Sequence, residues 1–183
     1  MLKIKYTLLS FALFASFGAF AQNEKTVMVG GAEMLPSKNI VENASNSKDH
    51  TTLVAAVKAA GLVETLSGTG PFTVFAPVNA AFAALPAGTV DNLLKPENKE
   101  TLTSVLTYHV IPGKVDSKSV AKMIKDGGGK AMAKTVQGEE LTFSMKGKDL
   151  IVTDSKGNMG KVTIADVFQS NGVVHVIDKV LMP

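Results

Sequence analysis

The stretch from Gly70 to Phe82, Gly-Pro-Phe-Thr-Val-Phe-Ala-Pro-Val-Asn-Ala-Ala-Phe, constrains the chain more than any other. Gly70-Pro71 is a turn pair. Phe72 to Phe75 is a β-rich run, and Pro77 stops it because proline brings no N–H to a sheet ladder. Asn79 stands where a cap is expected for the helix that Ala80 to Leu85 begin. Turn, buried strand and capped helix follow one another without a spare residue. Phe72, Phe75 and Phe82 are read as anchors of one core.

Leu53, Val54, Val57 and Ala60 fall on one face of a helix, with Asp49 or Thr51 as its cap and Gly61 as its left-handed close. Val90, Leu93 and Leu94 predict a short helix ended by Pro96. Leu102, Val105, Leu106 and His109 predict another, which places His109 on its apolar face. Ser117 is the expected cap of a helix carrying Val120, Met123 and Ile124, closed by Gly127 to Gly129. From Ala131 the period changes to two. Leu141, Phe143 and Met145 alternate with polar residues, and Leu150 to Val152, Val162 to Ile164 and Val173 to Ile177 continue the pattern. Helices mainly in the first half and strands in the second predict an α+β fold, a mostly antiparallel sheet with helices packed beside it. Residues 22–38 read as a polar, weakly patterned arm, Ile40 to Ala44 as a first helical turn, and 39–183 as one domain.

The start of the chain reads differently. Lys3 and Lys5 precede an apolar run from Thr7 to Phe20, too short for a span of ~20 residues, and Ala19-Phe20-Ala21 has the form of a cleavage site. Residues 1–21 are therefore expected to be a signal peptide, and the protein to be exported, to the periplasm or beyond. The chain has no cysteine, which removes disulfides, thiol chemistry, thiolate metal sites and a lipidated cysteine. All 19 basic residues are lysine. Arginine is the usual bidentate reader of phosphate and guanine, so nucleic acid is not an expected partner. Removing Lys3 and Lys5 leaves 17 lysines against 16 acids, too even a balance for long-range steering.

Catalytic motifs fail on particular residues. Gly129-Lys130 lacks the glycine (Ile124) and the hydroxyl (Ala131) of a phosphate loop. Met132 occupies the third glycine position of a dinucleotide fingerprint opening at Gly127. No Gly-x-Ser-x-Gly occurs, and Asp154 to Asn158 lacks the spacing of a calcium loop. His50, His109 and His175 are far apart in sequence. His109 and His175 could form an acid–base or metal pair with Asp116 or Asp178. The simpler reading makes each a buried histidine paired with backbone. Asp178 is read as a turn residue tying down the last strand, the pairs of surface charges as solvated, and Met123, Met132, Met145, Met159 and Met182 as core fillers.

Thr73-Val74-Phe75-Ala76-Pro77-Val78-Asn79, followed by Ala81-Phe82, resembles the first signature box of fasciclin domains. Asn171-Gly172-Val173-Val174-His175-Val176-Ile177-Asp178 and the tail to Pro183 resemble the closing box. Tyr108-His109-Val110-Ile111-Pro112-Gly113 resembles the Tyr-His element between them. The resemblance implies a β-wedge with helices beside it, present here as one copy, with Thr73, Phe75, Pro77, Asn79, Phe82, Gly172, His175 and Asp178 as structural signature residues. It implies an extracellular or envelope protein that takes part in adhesion, matrix or biofilm contacts. The expected partner is a protein or polysaccharide of a cell surface or matrix, with no enzymatic activity, cofactor or metal. The family's interaction motifs map to Tyr108 and His109 and to Asp166-Val167, where valine replaces isoleucine. The alternative is a binder of a small hydrophobic or sugar-like ligand, which calls for an enclosed pocket of a few hundred Å³.

Overall fold

The computed structural model describes residues 25–183, so the expected leader over 1–21 lies outside the described residues. A seven-stranded sheet carries the fold. Its strands are β3 (Phe72–Pro77), β4 (Val110–Pro112), β5 (Lys130–Lys134), β6 (Glu140–Lys146), β7 (Asp149–Thr153), β8 (Met159–Gln169) and β9 (Gly172–Ile177), in the order β4-β3-β9-β8-β7-β6-β5. Only β3 and β9 run parallel, in a register that sets Phe72 against Gly172 and Phe75 against His175. The two signature boxes are therefore neighbouring interior strands of one sheet. This is the expected α+β architecture.

The helices are α1 (Ile40–Asn46), α2 (Thr51–Ala60), α3 (Val63–Ser67), α4 (Asn79–Ala83), α5 (Thr89–Leu93), α6 (Lys99–Tyr108) and α7 (Ser117–Asp126). Strand alternation sends Phe72, Val74 and Ala76 into a core with α1, α2, α6 and Phe82. It sends Phe75 through to the opposite face, where it meets Phe143, Leu141, Val120 and Ile124 under α7. The three phenylalanines thus anchor two cores, because an odd separation along a strand reverses the face. His175 stacks on Phe75 with ring centroids 5.3 Å apart, on the same side.

Three capping expectations change. Asn79 does not cap α4, whose N-cap is Val78 without a side-chain bond. Its Oδ1 instead accepts from Thr52 N–H at 3.0 Å and Thr51 Oγ1 at 3.2 Å, while its Nδ2 donates to Lys48 O at 2.8 Å. Asn79 therefore caps α2 from across the fold, at an end where the local N-cap, His50, makes no side-chain cap bond and neither Asp49 nor Thr51 serves. Likewise Asp116, not Ser117, caps α7, accepting from Ser119 N–H at 2.8 Å. We expect Asn79→Ala to cost about 1 kcal/mol and Asn79→Asp less, since it keeps the acceptor; thermal unfolding of the two variants checks this.

Within the arm expected over 22–38, residues 25–38 hold more structure than their polarity announces. Strands β1 (Val27–Val29) and β2 (Ala32–Met34) form a hairpin through Gly30 and Gly31, at φ 58° and 77°. Two successive left-handed residues are what a tight hairpin turn needs. Val29 and Met34 then pack on Val167 and Val176. The buried Asn43 ties α1 to the end of this arm, donating to Leu35 O and to Gln169 Oε1 and accepting from Leu35 N–H. The methionines also depart from expectation. Met123, Met132, Met145 and Met159 are exposed rather than core, and Met182 is half-buried.

Candidate interaction surface and the residues that hold it

Tyr108 and His109 end α6 and point inward. The Tyr108 hydroxyl donates to Glu140 O at 3.1 Å and accepts from Ser155 N–H at 2.9 Å. His109 Nδ1 lies 2.8 Å from Val105 O, and its Nε2 accepts from Leu181 N–H at 3.0 Å. A carbonyl on one side and an amide on the other fix a neutral ring protonated on Nδ1. Burial holds its pKa down at about 4.

His175 repeats the arrangement in the other tautomer. Its Nε2 lies 3.0 Å from Val115 O and its Nδ1 accepts from Asp166 N–H at 3.3 Å. Burial lowers its pKa as well. Both ring nitrogens of both histidines are thus committed to backbone, and none is left to pair with Asp116 or Asp178. Asp178 Oδ1 accepts from Lys161 N–H at 2.8 Å and so ties β9 to the start of β8.

Asp166 adopts φ 58°, the left-handed region, and its carboxylate accepts from Ser117 N–H and the Ser117 hydroxyl. Val167 beside it is buried with the arm. Thr73 Oγ1 donates to Gly113 O at 2.7 Å and accepts from Val115 N–H at 2.9 Å. The residues matched to interaction motifs therefore divide between separate places. Tyr108 anchors the start of β6 and the turn after β7, His109 the C-terminal segment, Asp166 the start of α7, and Val167 the arm. The fold does not bring the two pairs into one patch.

Two anchoring residues escaped sequence reasoning. Asp154, buried, accepts from Lys156 N–H, Asn158 N–H, Asn158 Nδ2 and Met182 N–H at 2.8 to 3.0 Å. Buried Asn171 accepts from Ile40 N–H at 3.0 Å and donates to Leu66 O and Gly68 O at 2.8 and 2.9 Å. A short polar residue flanked by turn formers was the available signal in both cases, but the long-range partners were not.

What faces outward is half of the sheet. One side of β5 to β7 lies on α7 through Ala131, Leu141, Phe143, Leu150 and Val152. The other side bears Met132, Thr142, Thr153 and Met159 as one cross-strand row. A second row runs Lys130, Ser144, Ile151 and Lys161. Met132 and Met159 are 58% and 63% exposed. Four strands at ~4.8 Å spacing make a face about 14 Å across, with the two methionines on its border strands, Thr142, Ser144, Thr153 and the buried Ile151 between them, and Lys130 and Lys161 at the ends of the second row. Lys161 pairs with Asp149 at 2.9 Å at its border.

Concave features are modest. Two narrow apolar cavities of about 40 and 30 Å³ lie beneath α1. Two wider depressions, of about 310 and 390 Å³, are open to the surface. The first pair is well below the few hundred Å³ of a drug-sized ligand site. Among the described residues no group of three or more His, Asp or Glu is placed to hold a metal ion, and no helix is long and apolar enough to cross a membrane.

Comparison with known proteins is consistent with this architecture. The sequence profile of the fasciclin domain matches residues 48–183. Protein sll1483 of Synechocystis sp. is 51% identical over 162 residues, covering 87% of this chain and 82% of that protein. The cell surface glycolipoprotein MPB83 of Mycobacterium bovis is 39% identical over 145 residues, covering 76% of this chain and 58% of that protein. A FAS1 domain pair from the insect cell adhesion molecule fasciclin I superposes with a TM-score of 0.69 at 17% identity, over 80% of this chain and 51% of that one.

Proposed function

The chain belongs to the fasciclin domain family, and from that premise we propose that it is an exported, non-enzymatic adhesion module. Its bare sheet face contacts a protein or polysaccharide of a cell surface or matrix. One observation carries the reading: the outer side of β5 to β8 is left uncovered and presents Met132 and Met159 to water. A sheet face that no helix covers and that exposes large apolar side chains is a candidate contact site. Methionine suits such a surface, being unbranched and adaptable to different partners.

Several features support the reading from other sides. The leader expected over residues 1–21 would deliver the protein outside the cytoplasm. Relatives of the same family include a cell-surface protein and a cell adhesion molecule. The histidines at the signature positions spend their ring nitrogens on backbone, which suits a scaffold rather than an acid–base pair. In this reading Tyr108, His109, Asp166 and Val167 hold the scaffold together and do not themselves touch the partner.

Capture of the producing cells on surfaces coated with the purified protein tests the proposal. Folded protein is expected to retain cells and a heat-unfolded coat to retain few, with circular dichroism reporting the state of each coat. Equal retention by the two coats would contradict it.

A further inference from the structure

The two cavities beneath α1 share four lining residues, Ile40, Ala44, Leu53 and Val74. They are adjoining chambers between α1, α2 and β3. One polar side chain at the second chamber stands out. His50 is 3% exposed, lines that chamber, and its Nε2 has no hydrogen-bond partner.

The proton on that nitrogen can be assigned. Ser47 Oγ accepts from Asp49 N–H at 3.3 Å, so its hydroxyl proton is free to point at His50 Nδ1, 2.9 Å away. Nδ1 is then the acceptor and Nε2 carries the hydrogen. Burial, which lowers the pKa, keeps the ring neutral. The Ala76 carbonyl lies close enough to favour the protonated ring, yet accepts no hydrogen bond of good geometry from Nε2.

A buried N–H donor left open costs about 1–3 kcal/mol. Water satisfies such a group poorly here. Buried waters make about three hydrogen bonds, and beside His50 the other polar side chain lining the chamber, Gln169, already has its amide engaged by Asn43 and Val167 O. An ionised head group fits no better, because no lysine lines either chamber and an unpaired buried charge is costly.

We propose that these chambers bind a small, mainly apolar molecule bearing one uncharged acceptor oxygen, such as a short aliphatic ketone or alcohol. The oxygen takes the His50 Nε2 hydrogen and the carbon chain lies against Ile40, Ala44, Leu53 and Val74. The volumes of about 40 and 30 Å³ confine the ligand to a few carbons while α1 stays in place. The site is separate from the bare sheet face, so adhesion and ligand binding stand or fall independently.

Titration of the full protein with 2-butanone, followed by NMR of the Leu53 and Val74 methyls and the His50 ring, tests this. Saturable shifts are expected at all three, with butanoate giving none. His50→Leu is expected to weaken 2-butanone about tenfold, the loss of one hydrogen bond. Ala44→Leu fills both chambers from the half-buried α1 position and is expected to abolish the shifts while the rest of the spectrum stays folded. The proposal is overturned if 2-butanone gives no saturable shift, if butanoate binds equally well, or if the folded Ala44→Leu protein still binds.

Discussion

Replacing Gly172 by alanine is expected to lower the stability of the fold by about 3 kcal/mol, at the upper end of what overpacking costs. A Cβ at Gly172 would stand 2.0 Å from Phe72 O and 2.9 Å from Phe72 N and C. Those are backbone atoms of the strand paired with it in parallel register, so no side chain can rotate away. Phe72 N–H also donates to Asn171 O at 3.0 Å, which pins the same crossing. The methyl group must push β3 and β9 apart at the join of the two signature boxes. For a domain of this size the loss corresponds to a fall in melting temperature of about 6–12 °C. Gly157→Ala separates crowding from backbone strain: φ there is +83° and nothing lies within 4 Å of the added carbon, so about 1 kcal/mol is expected. Equal melting temperatures for the two variants would refute the crowding argument.

Acid should unfold the protein through its buried histidines. An unfolded imidazole titrates near 6.5, whereas burial holds His109 at about 4. Between those values the unfolded chain binds the extra proton, so acidification favours unfolding. The contribution is whole above about pH 6.5, is lost as pH falls toward 4, and levels off below that. A displacement of this size corresponds to about 3 kcal/mol. The structural cause is local. Protonating Nε2 turns the acceptor of Leu181 N–H into a second donor facing it, and the C-terminal segment loses that anchor. Asp154, whose charge favours the protonated ring, offsets the effect only in part. His50 and His175 shift in the same direction for the same reason. His109→Gln isolates the residue. It forfeits the bond to Val105 O, so it should be about 1–2 kcal/mol less stable at pH 7, and the gap to wild type should close or reverse by pH 4.5. Denaturant unfolding across that range reads the effect, and a constant gap would show that His109 does not titrate during unfolding.

Much of this fold was legible in the sequence because its elements announce themselves locally. Period-two runs from Ala131, the apolar face through Leu102 and His109, and the Gly61 close of α2 all follow from spacing, and all stand in the structure. What sequence did not convey was long-range pairing. Asn79 has the form of a local cap, yet the helix end it satisfies begins 28 residues earlier at Thr51. The Gly30-Gly31 hairpin was hidden because strands of three residues are too short to show alternation. The methionines were placed in the core because hydrophobicity alone does not say which side of a strand is covered; Met132 and Met159 lie on the side opposite α7. The proposed contact face therefore had no signature until strand register was known. By contrast, the burial of His109 was visible from periodicity alone.

The most direct test of the adhesion account targets that face. Coats of wild-type protein, of the double variant Met132→Glu/Met159→Glu, and of Met28→Glu would be compared for capture of the producing cells, with matched melting temperatures. Met28 is 57% exposed but lies on the N-terminal hairpin, which packs on Val167 at the other end of β8 from Met159, and serves as the charge control. The account predicts that wild type and Met28→Glu capture cells alike, while the double variant falls to the level of an unfolded coat. Undiminished capture by a folded double variant would contradict it.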